Sequence, residues 1–230
     1  MTTPTIAELL KYVDLQMAAE AFLADGNGVL KSGTELKAAL IAGNNHSSKF
    51  TEPQALEFLK HWEVIAQKPN TSTGFSGTLF KCILSDPATG AQKDEIVMSF
   101  RSTEFIDDSA QDNQATNAME IKETGFALGQ IRDMQAWYKE LTASTGPLGA
   151  GQSFAVTGYS LGGDLATAFN LLRCEDSTQA SRIDKVVTFN GAGVGATHFV
   201  AACAYFTLAR RRFGSRGRCN TRHLGKGCAV

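Results

Sequence analysis

The chain has 230 residues, 43% of them apolar, so it can bury one sizeable core, whereas two full domains would be crowded. Its formal net charge of -1 is that of an ordinary globular protein and does not suggest a polyanion binder. No apolar run reaches the roughly 18 residues that a membrane-spanning helix needs, so no integral membrane segment is expected.

The chain is predicted to begin with a helical region, residues 1–70, that packs on the core. It does not open with the basic and apolar segments of a signal peptide, which favours a cytoplasmic location or secretion without a leader. Apolar side chains recur at helical spacing over residues 5–24 and predict an amphipathic helix. Its apolar face carries Ile6, Leu9, Leu10, Val13 and Met17.

Two more helices are predicted in this region. Turn-forming residues at 25–28 end the first helix, and the second covers about 34–42. The third begins near Thr51, a favourable N-cap residue, with Pro53 in its first turn. Four of its apolar side chains are expected to point inward, namely Leu56, Leu59, Val64 and Ile65.

The hydrophobic pattern then changes to strand-like spacing. Residues 75–84 and 96–100 are typical of strands, and the turn-forming residues 86–90 between them predict a hairpin. A helix follows over about 124–141. Its apolar stripe comprises Phe126, Ile131, Met134, Trp137, Tyr138 and Leu141.

The next segment alternates strand, helix and strand. The strands are predicted at 154–157 and 185–189, with a helix over about 161–173 between them. Two short apolar strands joined by a helix indicate a crossover connection. The prediction is therefore a parallel sheet with helices on its faces.

The turn between that first strand and helix carries a catalytic motif. Residues 158–162, GYSLG, fit the pattern G-x-S-x-G. In a nucleophile elbow the serine, here Ser160, adopts a strained conformation that lifts its hydroxyl beyond the sheet edge. Gly158 and Gly162 would let the strand and the helix approach without Cβ clashes. The alternative is an ordinary glycine-rich turn without chemistry.

Four segments, in chain order, resemble the class 3 lipase family, the fungal-lipase-like branch of the α/β hydrolases. IVMSFRST at 96–103 resembles the family's F-R-G-T, and TGF at 124–126 resembles its H-x-G-F. GYSLGG at 158–163 resembles G-H-S-L-G-G, and VTFNGAGVG at 187–195 resembles T-F-G-A-P-R-V-G. The resemblance covers about residues 75–195.

This resemblance implies an α/β-hydrolase fold: a mostly parallel sheet with flanking helices, a core over residues 71–195 and the N-terminal helical region packed on it. The implied function is a carboxylic-ester hydrolase (lipase or esterase) that cleaves lipid esters through an acyl-enzyme on Ser160. Backbone N–H groups of Thr103 and Leu161 would form the oxyanion hole. No cofactor is implied.

The substrate class stays open at this point. Triacylglycerols, phospholipids cleaved at one acyl position, as by a phospholipase A, and short soluble esters all fit the resemblance. The partner is expected to be a lipid or a small ester, with transient contact with a lipid interface and no nucleic acid. Five cysteines without a C-x-x-C pair do not suggest a zinc site, so no metal is expected.

The chain departs from the family pattern at several positions. Ser102 stands in place of a glycine, Tyr159 replaces the elbow histidine, and the proline of A-P-R-V-G is absent. The family's acid and histidine follow the nucleophile, but no Asp or Glu occurs after Asp184. His223 is the candidate base, because His198 comes too early in the family's order.

The last 35 residues, 196–230, form a basic tail without any Asp or Glu. Its charges come from Arg210, Arg211, Arg212, Arg216, Arg218, Arg222 and Lys226. Three interpretations are open: a non-native end from a shifted reading frame or a cloning junction, a solvated segment, or a binding element. The first is favoured for two reasons. The tail lacks the interleaved aromatic residues and the helical spacing of a binding element, and it begins where the family's catalytic acid and histidine would be expected.

Two functional alternatives follow from these departures. One is a catalytically incomplete, lipase-like remnant that has the elbow but no working base. The other is a binding module whose basic tail contacts anionic lipid or nucleic acid, for which salt-sensitive binding would be the sign.

Overall fold

The structure is a computed structural model that describes residues 5–44, 48–102, 119–123, 126–149, 151–174 and 176–191. Its helices include α1 (Ile6–Ala19), α2 (Gly33–Ala42), α3 (Glu52–His61), α4 (Leu128–Leu141), α5 (Leu161–Cys174) and α6 (Ser177–Ala180). Its strands are β1 (Trp62–Lys68), β2 (Gly77–Cys82), β3 (Ile96–Phe100), β4 (Phe154–Tyr159) and β5 (Ile183–Phe189). None of the helices in the described parts of the chain combines the length and apolar character that a bilayer span requires.

α1 buries only part of the predicted apolar face: Leu9 and Met17 are partly buried and pack against the core. Its inward apolar side chains are Tyr12, Leu15, Ala18 and Ala19. Of the residues expected inside, Ile6 is 88% exposed, and Leu10 and Val13 are exposed as well. Alanines let the helix backbone approach the sheet closely, and Lys11 can be buried among them because its ammonium pairs with Glu95 at 2.6 Å.

α3 begins as predicted, but its buried face differs. Thr51 is its N-cap and Pro53 lies in its first turn. Leu56, expected inside, is 48% exposed, because Ala55 and Phe58 occupy the inner face. The helix start is a local property of the chain, whereas the face that is buried depends on the surface the helix meets.

The third predicted helix is also too long. α3 stops at His61, and Trp62 continues in an extended conformation with φ of -126° and ψ of 138°. Val64 and Ile65, expected on the helix, therefore lie on β1. A short run of apolar and β-branched residues fits a strand as well as a helix, and here pairing with β2 decides the outcome.

The five strands form one sheet in the order β1-β2-β3-β4-β5. The β1–β2 and β2–β3 pairs are antiparallel, and the β3–β4 and β4–β5 pairs are parallel. The predicted hairpin (β2–β3) and the predicted crossover (β4–α5–β5) are both confirmed. The sheet is nevertheless mixed rather than mostly parallel, because the hairpin and the unexpected β1 contribute two antiparallel pairs.

Helices cover both faces of this sheet. Successive strand residues point to opposite sides, so two hydrophobic clusters form. Leu79, Met98 and Val156 pack with α4 and α5 on one face. Phe80, Val97 and Ala155 pack with α1, α2 and α3 on the other. The predicted stripe of the helix now labelled α4 is buried in the first cluster. The division of the chain at residue 70 stays a prediction, and β1, which precedes it, belongs to the sheet.

The side chain of Gln67 ties the segment after α1 to the sheet. Its Oε1 accepts the N–H groups of Leu23 and Ala24 at 2.7 and 2.8 Å. Its Nε2 donates to the Ala21 carbonyl at 3.0 Å and to the Thr78 hydroxyl at 2.9 Å. One buried amide thus satisfies four polar groups, and it fixes the chain just beyond the end of α1.

Gln67→Leu should therefore lower the free energy of unfolding by about 2–4 kcal/mol, since two buried N–H groups lose their acceptor. The urea midpoint measures this loss. Thr78→Val, which removes only the hydroxyl partner of the same amide, should lower it by about 1 kcal/mol. If both variants lowered the free energy of unfolding equally, the two hydrogen bonds from the N–H groups of residues 23 and 24 would not be the main contribution of Gln67 to stability.

Candidate active site

Ser160 occupies the sharp turn between β4 and α5. Its φ is 51°, in the left-handed region that non-glycine residues rarely adopt. Its N–H donates to the Phe189 carbonyl at 2.9 Å, and its own carbonyl accepts the N–H groups of Gly163 and Asp164 at 3.0 and 3.1 Å. This backbone conformation costs on the order of 1–3 kcal/mol. Backbone hydrogen bonds on both sides of Ser160 hold it in place.

Three glycines around Ser160 make this turn sterically possible. A Cβ at Gly158 would lie less than 3.0 Å from the Gly162 carbonyl, and one at Gly162 would lie equally close to the Phe100 carbonyl. A Cβ at Gly163 would lie 2.9 Å from the Cα of Gly191. The backbone at the start of α5 therefore packs directly against the backbone at the end of β3 and just after β5. Glycines are needed at these positions because a side chain would not fit.

The carboxyl ends of three parallel strands meet at this edge of the sheet. β3 ends at Phe100, β4 at Tyr159 and β5 at Phe189, and the backbone of Gly162 packs against the end of β3. Leu161 is the first residue of α5, so its N–H has no acceptor within the helix. An anion beside Ser160 would meet this N–H and the positive end of the α5 dipole.

Asp164 is a buried carboxyl one turn into α5. The side chain has no exposed surface, and neither oxygen has a hydrogen-bond partner of normal geometry among the described residues, although the Ala127 N–H lies near enough to favour the charged form. Burial raises the pKa of Asp164 from 3.8 to about 7, and the nearby Ala127 N–H offsets only part of this rise. The carboxyl is therefore protonated over part of the neutral pH range.

The other acidic residues near the end of the described chain lie far from Ser160. Asp184 is the second residue of β5, whereas Ser160 bonds to Phe189 at the opposite end of that strand. At about 3.3 Å per residue the two ends are roughly 16 Å apart. Asp176 caps α6 by accepting the Thr178 N–H at 2.9 Å. Neither carboxylate is placed to orient a base at Ser160.

Several predicted site residues lie outside the described residues. These are Thr103, the candidate oxyanion donor, and His223 and His198, the candidate bases. The basic tail lies there as well. Their roles stay predictions. Within the described ranges, no group of three or more His, Cys, Asp or Glu side chains is arranged to hold a metal ion.

Glu20 belongs to this edge although nothing in the sequence singled it out. It follows α1 directly and is 1% exposed. Its carboxylate accepts the Ser102 N–H at 2.9 Å and the Ser102 hydroxyl at 2.7 Å. A residue 82 positions earlier in the chain thus contacts the end of β3, which no local pattern can indicate.

Arg101 completes this contact between α1 and the end of β3. Its guanidinium lies 4.2 Å from the centre of the Phe22 ring. Burial lowers the pKa of Arg101 to about 10, and the nearby Glu20 carboxylate opposes the decrease. The arginine therefore stays charged at neutral pH and supplies a positive charge near Glu20.

Comparison with known proteins agrees with this geometry. The family model described as Lipase (class 3) matches residues 97–212, which is half of the chain. The match includes β3, the Ser160 elbow and β5, and it ends after Arg212, the third arginine of the basic tail. No curated protein matches the chain. The chain therefore belongs to the class 3 lipase family, to which an α/β-hydrolase fold and lipase-like ester hydrolysis are general.

Proposed function

We propose that the protein is a carboxylic-ester hydrolase that cleaves lipid esters through an acyl-enzyme on Ser160. The observation that carries the proposal is the backbone of Ser160, held at a φ of 51° between β4 and the N-terminus of α5. A non-glycine residue keeps such a conformation only where the surroundings enforce it, and such strain clusters at reactive sites. Family membership supplies the reaction type.

The reaction requires two half-steps. The Ser160 hydroxyl attacks the ester carbonyl carbon as its proton passes to a base, and the resulting tetrahedral intermediate expels the alcohol, which takes up that proton. Water then attacks the acyl-enzyme in the same way and releases the carboxylic acid. Elbow geometry supports this role, because it brings the serine to the carboxyl edge of the sheet.

The negative oxygen of each intermediate needs hydrogen-bond donors. We assign the Leu161 N–H and the Thr103 N–H to this role. Leu161 opens α5 directly after the nucleophile, and the chain that leads to Thr103 leaves β3 where Gly162 packs against Phe100. Each such donor contributes on the order of 3 kcal/mol to the transition state.

The proton of the Ser160 hydroxyl needs a base. We assign it to His223, the only histidine in the part of the sequence where the family's histidine is expected. His198 is the alternative. The chain offers no acid after Asp184 to orient either ring, so the expected rate is below that of a lipase with a full triad.

The direct test is hydrolysis of p-nitrophenyl butyrate by the wild-type chain beside Ser160→Ala. We expect at least about a 10³-fold loss of kcat/KM in the variant, because removal of the nucleophile leaves only oxyanion and binding effects. A fluorophosphonate should label Ser160 in the wild-type chain alone, as identified by mass spectrometry of the peptide.

Ser153→Ala is the matched control, since Ser153 is an exposed serine just before β4. It should keep both the activity and the labelling of the wild-type chain. Equal, near-background rates in wild type and Ser160→Ala, with no labelling, would reject the proposal in favour of a lipase-like remnant. Comparison of triacylglycerol, phospholipid and short-ester substrates would then define the substrate class of an active chain.

A further inference from the structure

The contact between Glu20 and Ser102 joins the end of α1 to the edge that holds the nucleophile. Both carboxylate oxygens of Glu20 are used: Oε1 accepts the Ser102 N–H and Oε2 accepts the Ser102 hydroxyl. Gln16 donates a further hydrogen bond to Oε1 from one turn earlier in the chain. Two bonds from one carboxylate fix both the backbone and the side chain of Ser102.

Ser102 lies at a sensitive position. It follows the last residue of β3 by two positions, and Gly162 of the elbow packs against the carbonyls of Phe100 and Arg101, the latter 2.9 Å from a Cβ placed on Gly162. The peptide bond that leaves Ser102 is the one that carries the Thr103 N–H. Hydrogen bonds that fix the position of Ser102 therefore also fix the backbone that packs against the Ser160 elbow.

The anchor itself is rigid on the α1 side. The side-chain amide of Gln67 holds the backbone of residues 21, 23 and 24, directly after Glu20, through hydrogen bonds of 2.7–3.0 Å. At the other end of the helix, Glu8 pairs with Lys185 of β5, and Lys11 pairs with Glu95 at 2.6 Å. The carboxylate of Glu20 is thus presented from a helix that is itself tied to the sheet.

We propose that Glu20 is a positioning residue for ester hydrolysis, which it aids by holding Ser102 and so orienting the backbone that leads to the oxyanion donor. This inference rests on the proposed function of Ser160. The family motif that this segment resembles has glycine at the position of Ser102. A glycine could offer its N–H to Glu20 but not the second hydrogen bond.

The kinetic test compares Glu20→Ala and Glu20→Gln with the wild-type chain. Each rate is divided by the concentration of active sites that a fluorophosphonate labels. A decrease in the fraction of folded protein therefore does not lower the reported kcat. We expect Glu20→Ala to lower kcat per labelled site by about 10- to 100-fold with little change in KM, because an oxyanion contact acts mainly in the transition state. Glu20→Gln keeps an acceptor for the Ser102 N–H and should recover most of the rate.

Glu8→Ala is the matched control, because Glu8 is a glutamate of α1 that is ion-paired with the sheet. It should leave kcat per labelled site within about twofold of the wild-type value. An unchanged kcat per labelled site in Glu20→Ala would overturn the inference. So would an equal loss in Glu8→Ala, which would show that any loosening of α1 has the same effect.

Hydrogen exchange separates failure of this inference from failure of the proposed function. In Glu20→Ala, the amide of Ser102 should exchange at least about tenfold faster, whereas amides within β4 should keep their wild-type rates. Unchanged exchange at Ser102 overturns the inference whether or not the chain hydrolyses esters. The amide of Ser102 could also exchange faster in a protein whose Ser160→Ala variant is as active as the wild type. That result would overturn the proposed function, and with it the positioning role of Glu20 in ester hydrolysis.

Discussion

Gly162→Ala should destabilise the protein by at least about 3–5 kcal/mol, enough to unfold most of the chain at 25 °C if its stability is typical of a single domain. The added Cβ would lie less than 3.0 Å from the Phe100 carbonyl and 2.9 Å from the Arg101 carbonyl. Both neighbours are backbone, so neither can move aside without displacing β3 or the start of α5. The urea midpoint and the near-ultraviolet circular dichroism measure the loss.

Gly26→Ala is the control for this substitution. A Cβ at Gly26 would meet nothing within 4 Å, and the residue does not have a positive φ. Alanine at position 26 should raise the free energy of unfolding by less than about 1 kcal/mol, because it restricts the unfolded chain without a clash in the folded one. A Gly162→Ala protein with a wild-type midpoint would mean that the elbow helix does not pack against the end of β3 as described.

Asp164→Asn should stabilise the protein at pH 8 by up to about 4 kcal/mol and leave it nearly unchanged at pH 4. The folded chain holds the proton with a pKa of about 7, whereas 3.8 is the ordinary value of the unfolded chain. At this site the folded state therefore binds more protons than the unfolded state between these values, so the contribution of Asp164 to stability falls as pH rises from about 4 to 7. A difference of about 3 in pKa corresponds to about 4 kcal/mol.

Urea midpoints of the wild-type chain and the variant at pH 4, 6 and 8 test this expectation. The variant should show a flatter profile, since the asparagine amide does not titrate in this range. Asp184→Asn is the matched control, because it removes the same charge from an exposed position on β5. An equal difference between the midpoints of the wild-type chain and Asp164→Asn at all three pH values would contradict the raised pKa.

The elements that sequence predicted well are those decided locally. The strand–turn–helix around Ser160 follows from a run of buried-type residues, a glycine on each side of the serine and an apolar stripe beyond it. The stripe of α4 from Ile131 to Leu141 is likewise buried as predicted. In each case the residues that determine the conformation lie within a few turns of one another, so a periodic pattern contains the necessary information.

The errors concern faces and partners. Large apolar side chains at 6, 10 and 13 made one face of α1 appear to be the inner one, but the alanine-containing face allows the closer approach to the sheet. The sequence pattern places Val64 and Ile65 on a helix rather than on β1, because these residues suit either element until β2 is available to pair with them. Both outcomes depend on residues distant in the chain.

The sequence by itself determined the parts of this protein whose physics is local: the glycine-lined elbow, the strained serine and the order of motifs that identifies the family. Only the tertiary structure decided what surrounds them. Two examples are the hydrogen bonds from Ser102 to Glu20 and the burial of the Asp164 carboxyl. Both depend on which segments pack together, because hydrogen bonding and burial are determined by neighbours in space rather than in sequence.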